Sequence, residues 1–254
     1  MDMHWAERSA KTAMRSLAGF IWPQRSILTG ERHRGDGAIA PDDFAKLHFL
    51  NGKGCRMCAA PVEIDLGAES LCGACAAQPQ RWREAHAALA YDEASRQAIL
   101  ELKYAGRRDG LETMVNWMVL AGGEMLNDTD FLIPVPLHYR RLAKRGFNQA
   151  GWLAQGIAKR TQNAVLVDAI KRKKHTRSQG GLSARQRRRN VAGAFVIRRS
   201  RRKQIEGAHV ILVDDVYTTG STLEACTAAL LKAGAETVNV LVLARVVRDA
   251  DITI

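Results

Sequence analysis

Two groups of residues in this chain have the types and spacing to do chemistry. The first lies in the run Val210-Ile-Leu-Val-Asp-Asp-Val-Tyr-Thr-Thr-Gly-Ser-Thr-Leu223. Here an apolar strand ends at two adjacent carboxylates, Asp214 and Asp215, and a loop rich in hydroxyls leads into a helix that starts near Ser221. Ser221 and Glu224 have capping-box spacing. A helix N-terminus surrounded by Thr218, Thr219, Ser221 and Thr222 suits a phosphate dianion, because its first N–H groups have no partner within the helix. Gly220 lets the backbone approach such a ligand closely. Adjacent carboxylates repel unless a cation or a hydrogen-bond donor lies opposite. A sugar diol and a divalent cation both meet that need, so the run suits a ribose bearing a 5′-phosphate. The competing reading is a hydroxyl-capped helix after a strand, which accounts for Ser221 but not for the paired acids. Other phosphate and metal motifs fail: the chain has no GxxxxGK[ST], no GxGxxG after a strand and no HExxH.

The second group is Cys55-x2-Cys58, thirteen residues, then Cys72-x2-Cys75. Each pair fits a tight turn with converging sulfurs, and two such turns place four thiolates at the corners of a tetrahedron. The spacing points to one structural zinc in a zinc ribbon, with disulfides and redox thiols as the competing readings. Reduced thiols in a cytoplasmic setting and the small CxxC loop weigh against disulfides. A segment this poor in large apolar residues would draw much of its folding free energy from the metal. Cys226 stands apart, on a helix face with Leu223 and Leu230, and reads as a small buried hydrophobe.

The elements that must position these groups follow from the hydrophobic pattern. From about Trp82 onward, short β-branched runs alternate with longer helical periods, which implies β–α units around a parallel sheet. Strands are expected at His86–Tyr91, Phe131–Val135, Val165–Ile170, Ala194–Ile197, His209–Asp214 and Thr237–Ala244. Helices are expected at Trp5–Phe20, Glu93–Lys103, Leu111–Leu126, Asn148–Lys159, Ser183–Asn190 and Ser221–Ala233. The expected division is an N-terminal extension (1–50), a zinc ribbon (51–82) and an α/β domain (83–254).

The 254 residues carry 38 Lys and Arg against 26 Asp and Glu, a net charge of +12. Fourteen of the cations lie between Lys171 and Lys203, a stretch with no Asp or Glu, so the rest of the chain stands at 24 − 26 = −2. The basicity is therefore local. It implies an anionic partner such as phosphate, pyrophosphate or nucleic acid, with a solvated charged loop as the alternative. The longest apolar stretch, Val238 to Val247, is broken by Asn239 and Arg245 and is too short for a bilayer, which takes about 20 residues. The run Leu17–Trp22 lacks the length and cleavage site of a secretory signal. A soluble, cytoplasmic protein is expected.

The stretch VDDVYTTGST (213–222) resembles the signature loop of type I phosphoribosyltransferases, enzymes that use 5-phosphoribosyl 1-pyrophosphate (PRPP). The cysteine ribbon, ILELKYAGRRD (Ile99–Asp109), IPVPLHYRRLAKRGFNQA (Ile133–Ala150) and the run from Gln179 through Arg188 to Phe195 narrow the resemblance to the ComF/GntX group. The resemblance implies a parallel sheet flanked by helices, with a small N-terminal zinc ribbon. It implies that Asp214 and Asp215 hold the ribose hydroxyls, directly or through Mg²⁺, and that Thr218, Thr219, Gly220, Ser221 and Thr222 cradle the 5′-phosphate. Pro136, Leu137 and His138 stand at the pyrophosphate loop, with Arg140, Arg141 and Arg145 able to complement the leaving charge. Lys103 is a weaker candidate, equally readable as an exposed lysine ending a helix. Lys171–Arg189 stands where relatives carry a loop that closes over the site, with Gly180-Gly181 as its hinge.

The implied reaction displaces pyrophosphate from the ribose anomeric carbon in favour of a base or an amine. The same family is associated with competence and DNA uptake, so the competing function is a non-enzymatic DNA-handling protein that grips the phosphate backbone with the basic segment and the ribbon. Many relatives carry a further set of paired CxxC motifs upstream. In this chain Ser26-x2-Thr29 and Ala40-x2-Asp43 keep the spacing without cysteine, which suggests a first ribbon whose ligands have been lost.

Overall fold

The computed structural model describes residues 24–33, 38–50, 54–62, 70–104, 110–173, 191 and 193–247. The expected helices at Trp5–Phe20 and Ser183–Asn190 and the Gly180-Gly181 hinge lie outside them. The N-terminal part contributes β1 (Gln24–Arg25), β2 (Arg32–His33), α1 (Pro41–Phe44) and α2 (Gly73–Ala77). The sheet and its helices begin with β3 (Ala85–Ala90), α3 (Glu93–Tyr104), α4 (Leu111–Gly122), β4 (Phe131–Pro134), α5 (Tyr139–Arg145), α6 (Gln149–Thr161) and β5 (Ala164–Val165). They continue with β6 (Ile170–Arg172), β7 (Phe195–Ile197), α7 (Arg202–Ile205), β8 (His209–Tyr217), α8 (Ser221–Lys232) and β9 (Thr237–Arg245).

Five strands form one sheet in the order β3-β9-β8-β4-β5, with every pairing parallel. The continuous apolar runs of β8 and β9 explain this, because a strand buried on both faces has no place for an alternating polar side. Alternation still sorts the side chains. Val210 and Leu212 of β8 join a core with Leu223, Cys226 and Leu230 of α8. Ile211 and Val213 join the opposite core with Leu102 of α3, Met118 of α4 and Leu153 of α6. The cysteines and Trp82 belong to the first core, whereas Ile27, Leu28 and Leu47 of the preceding segment belong to the second.

Chain order leaves β4 outward to β5, and after returning at β8 it proceeds the other way to β9. The direction reverses between β4 and β8, and in an open parallel sheet that is where a crevice opens at the C-terminal strand ends. The parallel sheet expected from the sequence is present, and three of the expected elements end elsewhere. The expected helix Leu111–Leu126 stops at Gly122, and Gly123–Leu126 tightens into a 3₁₀ turn after Gly123 takes a φ of 46°. Val165–Ile170 is not one strand. Val165 pairs with Leu132, a turn closed by Ala169 N–H to the Leu166 carbonyl (3.3 Å) intervenes, and Ile170 opens the separate β6–β7 pair. Finally, β8 runs past Asp214 to Tyr217. Its pairing with β4 ends at Val213, but β9 accompanies it to Arg245.

The turn 26–31 and the helix start 40–44 repeat the backbone frame of the two cysteine turns. The Cys55 N–H donates to the Ala60 carbonyl, and the Ala59 N–H donates back to Cys55, with Ala59 at a φ of 56°. The Ser26 N–H donates to the Glu31 carbonyl, and the Gly30 N–H donates back to Ser26, with Gly30 at a φ of 72°. Cys72 is the N-cap of α2, which contains Cys75, just as Ala40 is the N-cap of α1, which contains Asp43. In place of a thiol cluster, the buried Asp43 carboxylate accepts from Ser26 Oγ (2.6 Å) and Thr29 Oγ1 (2.8 Å).

Candidate functional site

The residues singled out in the sequence lie where β8 parts from β4, on the turn after β4 and along the end of β8 and the loop beyond it. The Val135 N–H donates to the Val213 carbonyl at 2.9 Å, so Pro136, Leu137 and His138 leave the sheet beside Asp214. His138 is buried and caps α5, its Nδ1 accepting from the Arg140 N–H at 3.3 Å. Asn148 ties the start of α6 to the same turn by donating from Nδ2 to the Val135 carbonyl at 3.1 Å.

The two aspartates diverge. Strand alternation sends their side chains to opposite faces of the sheet. The Asp215 carboxylate is buried toward α3 and α6, where Lys103 Nζ stands 3.1 Å from Oδ2 and Gln149 Nε2 donates to the same oxygen at 3.0 Å. Arg145 joins this network by donating from Nη1 to Gln149 Oε1 at 3.4 Å. Burial alone would lower the Lys103 pKa, but the Asp215 and Asp214 carboxylates outweigh it and hold the ammonium above its ordinary value. Asp214 lies on the other face, on the side of Cys226 and Arg172. Burial first, and the Asp215 charge second, push its carboxyl up to about 8, against the pull of the Asp215 N–H, Lys103 and Arg172. That N–H donates to Asp214 Oδ1 at 2.9 Å.

Beyond Tyr217 the chain enters the hydroxyl loop. Gly220 has a φ of 71°, and a Cβ there would come within 2.9 Å of Tyr217 Cε2, so both conformation and space require glycine. The expected capping box is absent. Gly220 is the N-cap of α8, no side chain caps the helix, and Glu224 instead meets Arg81 Nε at 2.7 Å. Ser221 Oγ is hydrogen-bonded to Thr219 Oγ1 at 2.9 Å. The first turn of a twelve-residue helix therefore faces the loop with no side-chain cap of its own.

The four cysteines converge as the spacing requires. All are buried, with their sulfurs within 4.8 Å of one another and Cys58 Sγ 3.7 Å from Cys72 Sγ. A tetrahedral zinc with Zn–S bonds of ~2.3 Å sets sulfurs ~3.8 Å apart, so this cluster fits that ion. Hydrogen bonds from Cys58 and Cys75 pull Cys55 toward the thiolate. The bonds to Cys55 raise Cys58 and Cys75 in turn, with burial adding to the effect.

A family model for the phosphoribosyl transferase domain matches residues 142–251. A relative, DNA utilization protein YhgH of Escherichia coli O157:H7, is 33% identical over 196 residues, covering 75% of this chain and 83% of the relative. The chain belongs to the ComF family. Competence protein F of Haemophilus influenzae is 44% identical over 114 residues, 45% of this chain and 49% of that protein. Among solved structures, orotate phosphoribosyltransferase from Aeropyrum pernix aligns with a TM-score of 0.34 at 15% identity, over 63% of this chain and 80% of that one.

Two features of this ComF chain, Gln149 and Arg172, escaped the sequence, whereas Lys103 stood there as a weaker candidate beside the helix-end reading. Lys103 is an ion-pair partner of Asp215 rather than an exposed helix end, and Gln149 joins the same carboxylate from α6. Arg172 of β6 is buried with its guanidinium 5.3 Å from the Phe195 ring centroid, on the Asp214 side of the sheet. The available signal is strand alternation, which puts Arg172 on the same buried face as Ile170. Cys226 is buried as expected. A groove of about 1010 Å³ runs from the cysteine segment along α8 to Thr218–Ser221, and neither aspartate lines it. The greater part of the basic segment, 174–190, lies outside the described residues. Among the described residues, no helix is long and apolar enough to cross a membrane.

Proposed function

We propose that this ComF-family chain binds PRPP with Mg²⁺ and transfers the phosphoribosyl group to a base or an amine with release of pyrophosphate. The observation that supports this reading is the parting of β8 from β4 at Asp214, with the paired aspartates at that point and the uncapped N-terminus of α8 following them in the chain. Asp214 and Asp215 hold the ribose hydroxyls. Thr218, Thr219, Gly220, Ser221 and Thr222 receive the 5′-phosphate on the N-terminal amides of α8. Pro136, Leu137 and His138 receive the pyrophosphate, and Arg145, braced on Gln149, offers it positive charge. When bound, Mg²⁺ supplies neutralisation of the pyrophosphate. The bond from the anomeric carbon to the pyrophosphate oxygen breaks, the acceptor nitrogen bonds to that carbon, and the acceptor loses its proton. Fixed donors and cations aimed at the departing charge lower the barrier. The cysteine cluster holds one structural zinc, with thiols kept reduced in the cytoplasm.

The first test is thermal. PRPP with Mg²⁺ should raise the melting temperature of the wild type and leave Asp215→Asn unmoved, and a screen of bases and amines should then release pyrophosphate. No shift in the wild type sinks the reading. Metal analysis should return about one zinc per chain, lost in Cys72→Ser.

A second reading, DNA handling, is favoured by the exposed Arg199, Arg202 and Lys232 along the groove beside α8 and by the names of the relatives. DNA affinity should then fall steeply with salt and with neutralisation of Arg187, Arg188 and Arg189.

A further inference from the structure

The C-terminal end of β9 holds a guanidinium in the interior. Arg245 is 5% exposed, and a buried cation needs partners for its donors. Its backbone is held from both sides, paired with Ala90 of β3 and Tyr217 of β8, and its carbonyl accepts from the Tyr91 N–H at 2.7 Å. From this fixed base the side chain joins two segments remote in sequence. Nε donates to the Cys58 carbonyl at 2.8 Å, and Nη1 donates to the Thr218 carbonyl at 3.1 Å as well as to the Val246 carbonyl.

The aromatic contacts follow the same path. The Arg245 guanidinium lies over the Tyr217 ring, 4.4 Å from its centroid. That ring packs against Gly220 and meets Trp82 edge to face at 5.8 Å, and Trp82 Nε1 donates to the Met57 carbonyl at 2.6 Å. The turn carrying Cys55 and Cys58 is thus connected to the hydroxyl loop by one guanidinium and one pair of rings.

We propose that Arg245 is a positioning residue that couples the four-cysteine cluster to the phosphate loop, so that metal held by Cys55, Cys58, Cys72 and Cys75 sets the geometry of Thr218–Ser221. The inference rests on the PRPP reading for the loop's role, but the coupling itself concerns only the chain's own contacts. The Cys58 carbonyl keeps its place only while the Cys58 sulfur is anchored. Once the turn relaxes, Nε loses its acceptor and Nη1 no longer fixes Thr218. Lysine cannot substitute, because a single ammonium cannot hold the two carbonyls in one planar fork.

The full-length chain, zinc-loaded and zinc-stripped, is compared with Arg245→Lys in both states. Amide hydrogen exchange, zinc content and calorimetric affinity for PRPP with Mg²⁺ are read for each. Stripping the wild type should accelerate exchange at 217–222 while Ile211–Val213 stay protected. Loaded Arg245→Lys should retain its zinc, show the same acceleration and bind PRPP about tenfold more weakly, as loss of a charge-assisted hydrogen bond requires. Stripping the variant should then add nothing at 217–222, a non-additivity that a purely structural role would not give. The coupling is overturned if stripping the wild type leaves 217–222 unchanged, or if 217–222 and Ile211–Val213 open equally. A loaded variant with wild-type affinity overturns it as well. Should the lysine variant fail to fold, the wild-type exchange comparison decides alone. If loaded wild type does not bind PRPP, the phosphoribosyl reading falls while the exchange data still judge the coupling.

Discussion

Asp214 offers the sharpest perturbation, because its carboxyl is held in the neutral form by the fold. Burial and the Asp215 charge raise its pKa from 3.8 to about 8. The sign follows from linkage: the unfolded chain releases this proton above pH ~4, whereas the folded chain keeps it to about 8. The stability contributed by protonated Asp214 is therefore fully present below the unfolded value and is lost as pH rises toward 8. About four units at ~1.4 kcal/mol each set an upper bound of ~6 kcal/mol, which solvent relaxation at a half-buried rim reduces to ~2 kcal/mol. Asparagine mimics the neutral acid. Asp214→Asn should therefore match the wild type near pH 4 and melt progressively higher above it, by ~4–8 °C at pH 8, since 1 kcal/mol is worth ~2–4 °C in a chain of this size. The assay is differential scanning calorimetry of ligand-free protein from pH 4 to 9. A variant that melts below the wild type at pH 8, or a gap that does not change with pH, refutes the reasoning.

Other substitutions probe neighbouring parts of the frame. Lys103→Met leaves the buried Asp215 with Gln149 alone and should lower stability by ~3 kcal/mol in urea unfolding, whereas an exposed helix-end lysine would give less than 1 kcal/mol. Gly220→Ala forces a Cβ into the left-handed region and against Tyr217, so it should lose ~1–2 kcal/mol and abolish the PRPP-dependent melting shift. Replacing Ser26, Thr29, Ala40 and Asp43 together by cysteine should raise zinc content from about one to about two per chain. A count that stays at one would show that the shared backbone frame does not suffice for a metal site.

What the sequence discloses depends on how local the cause is. The apolar run of β8, the turn at Pro136 and the two CxxC pairs are local, and their positions hold. The extent of β8 is not local. Nothing in Asp214-Asp215-Val216-Tyr217 announces a strand, and it persists because β9 supplies hydrogen bonds after β4 has turned away. Capping is overridden the same way, since Glu224 is drawn from its own helix end by Arg81, 143 residues distant in sequence. Arg245 registers in the sequence only as a break in an apolar stretch, and its partners, Cys58 and Thr218, come together only in the fold. The upstream frame is the opposite case. Ser26, Thr29, Ala40 and Asp43 have the CxxC spacing, and their turn geometry matches that of the cysteine frame, with a carboxylate accepting hydrogen bonds where the second frame gathers thiols.

The adjacency of the two aspartates gains its meaning from strand alternation. Side by side in sequence they look like a repelling pair that needs one shared cation. In the sheet they serve opposite faces, and each is treated differently by what packs there. The Asp215 side chain is fastened by Lys103 and Gln149, so its position is settled before any ligand arrives. For Asp214, burial and its neighbour's charge outweigh the Asp215 N–H and the more distant pull of Lys103 and Arg172, so its carboxyl is held up to about 8. A ligand that brings positive charge to the crevice must displace the Asp214 proton. Affinity for PRPP with Mg²⁺ should therefore rise with pH toward 8 and be accompanied by proton release, detectable as a buffer-dependent binding enthalpy. That dependence should disappear in Asp214→Asn, and it should survive in Lys103→Met if Asp214 is its source.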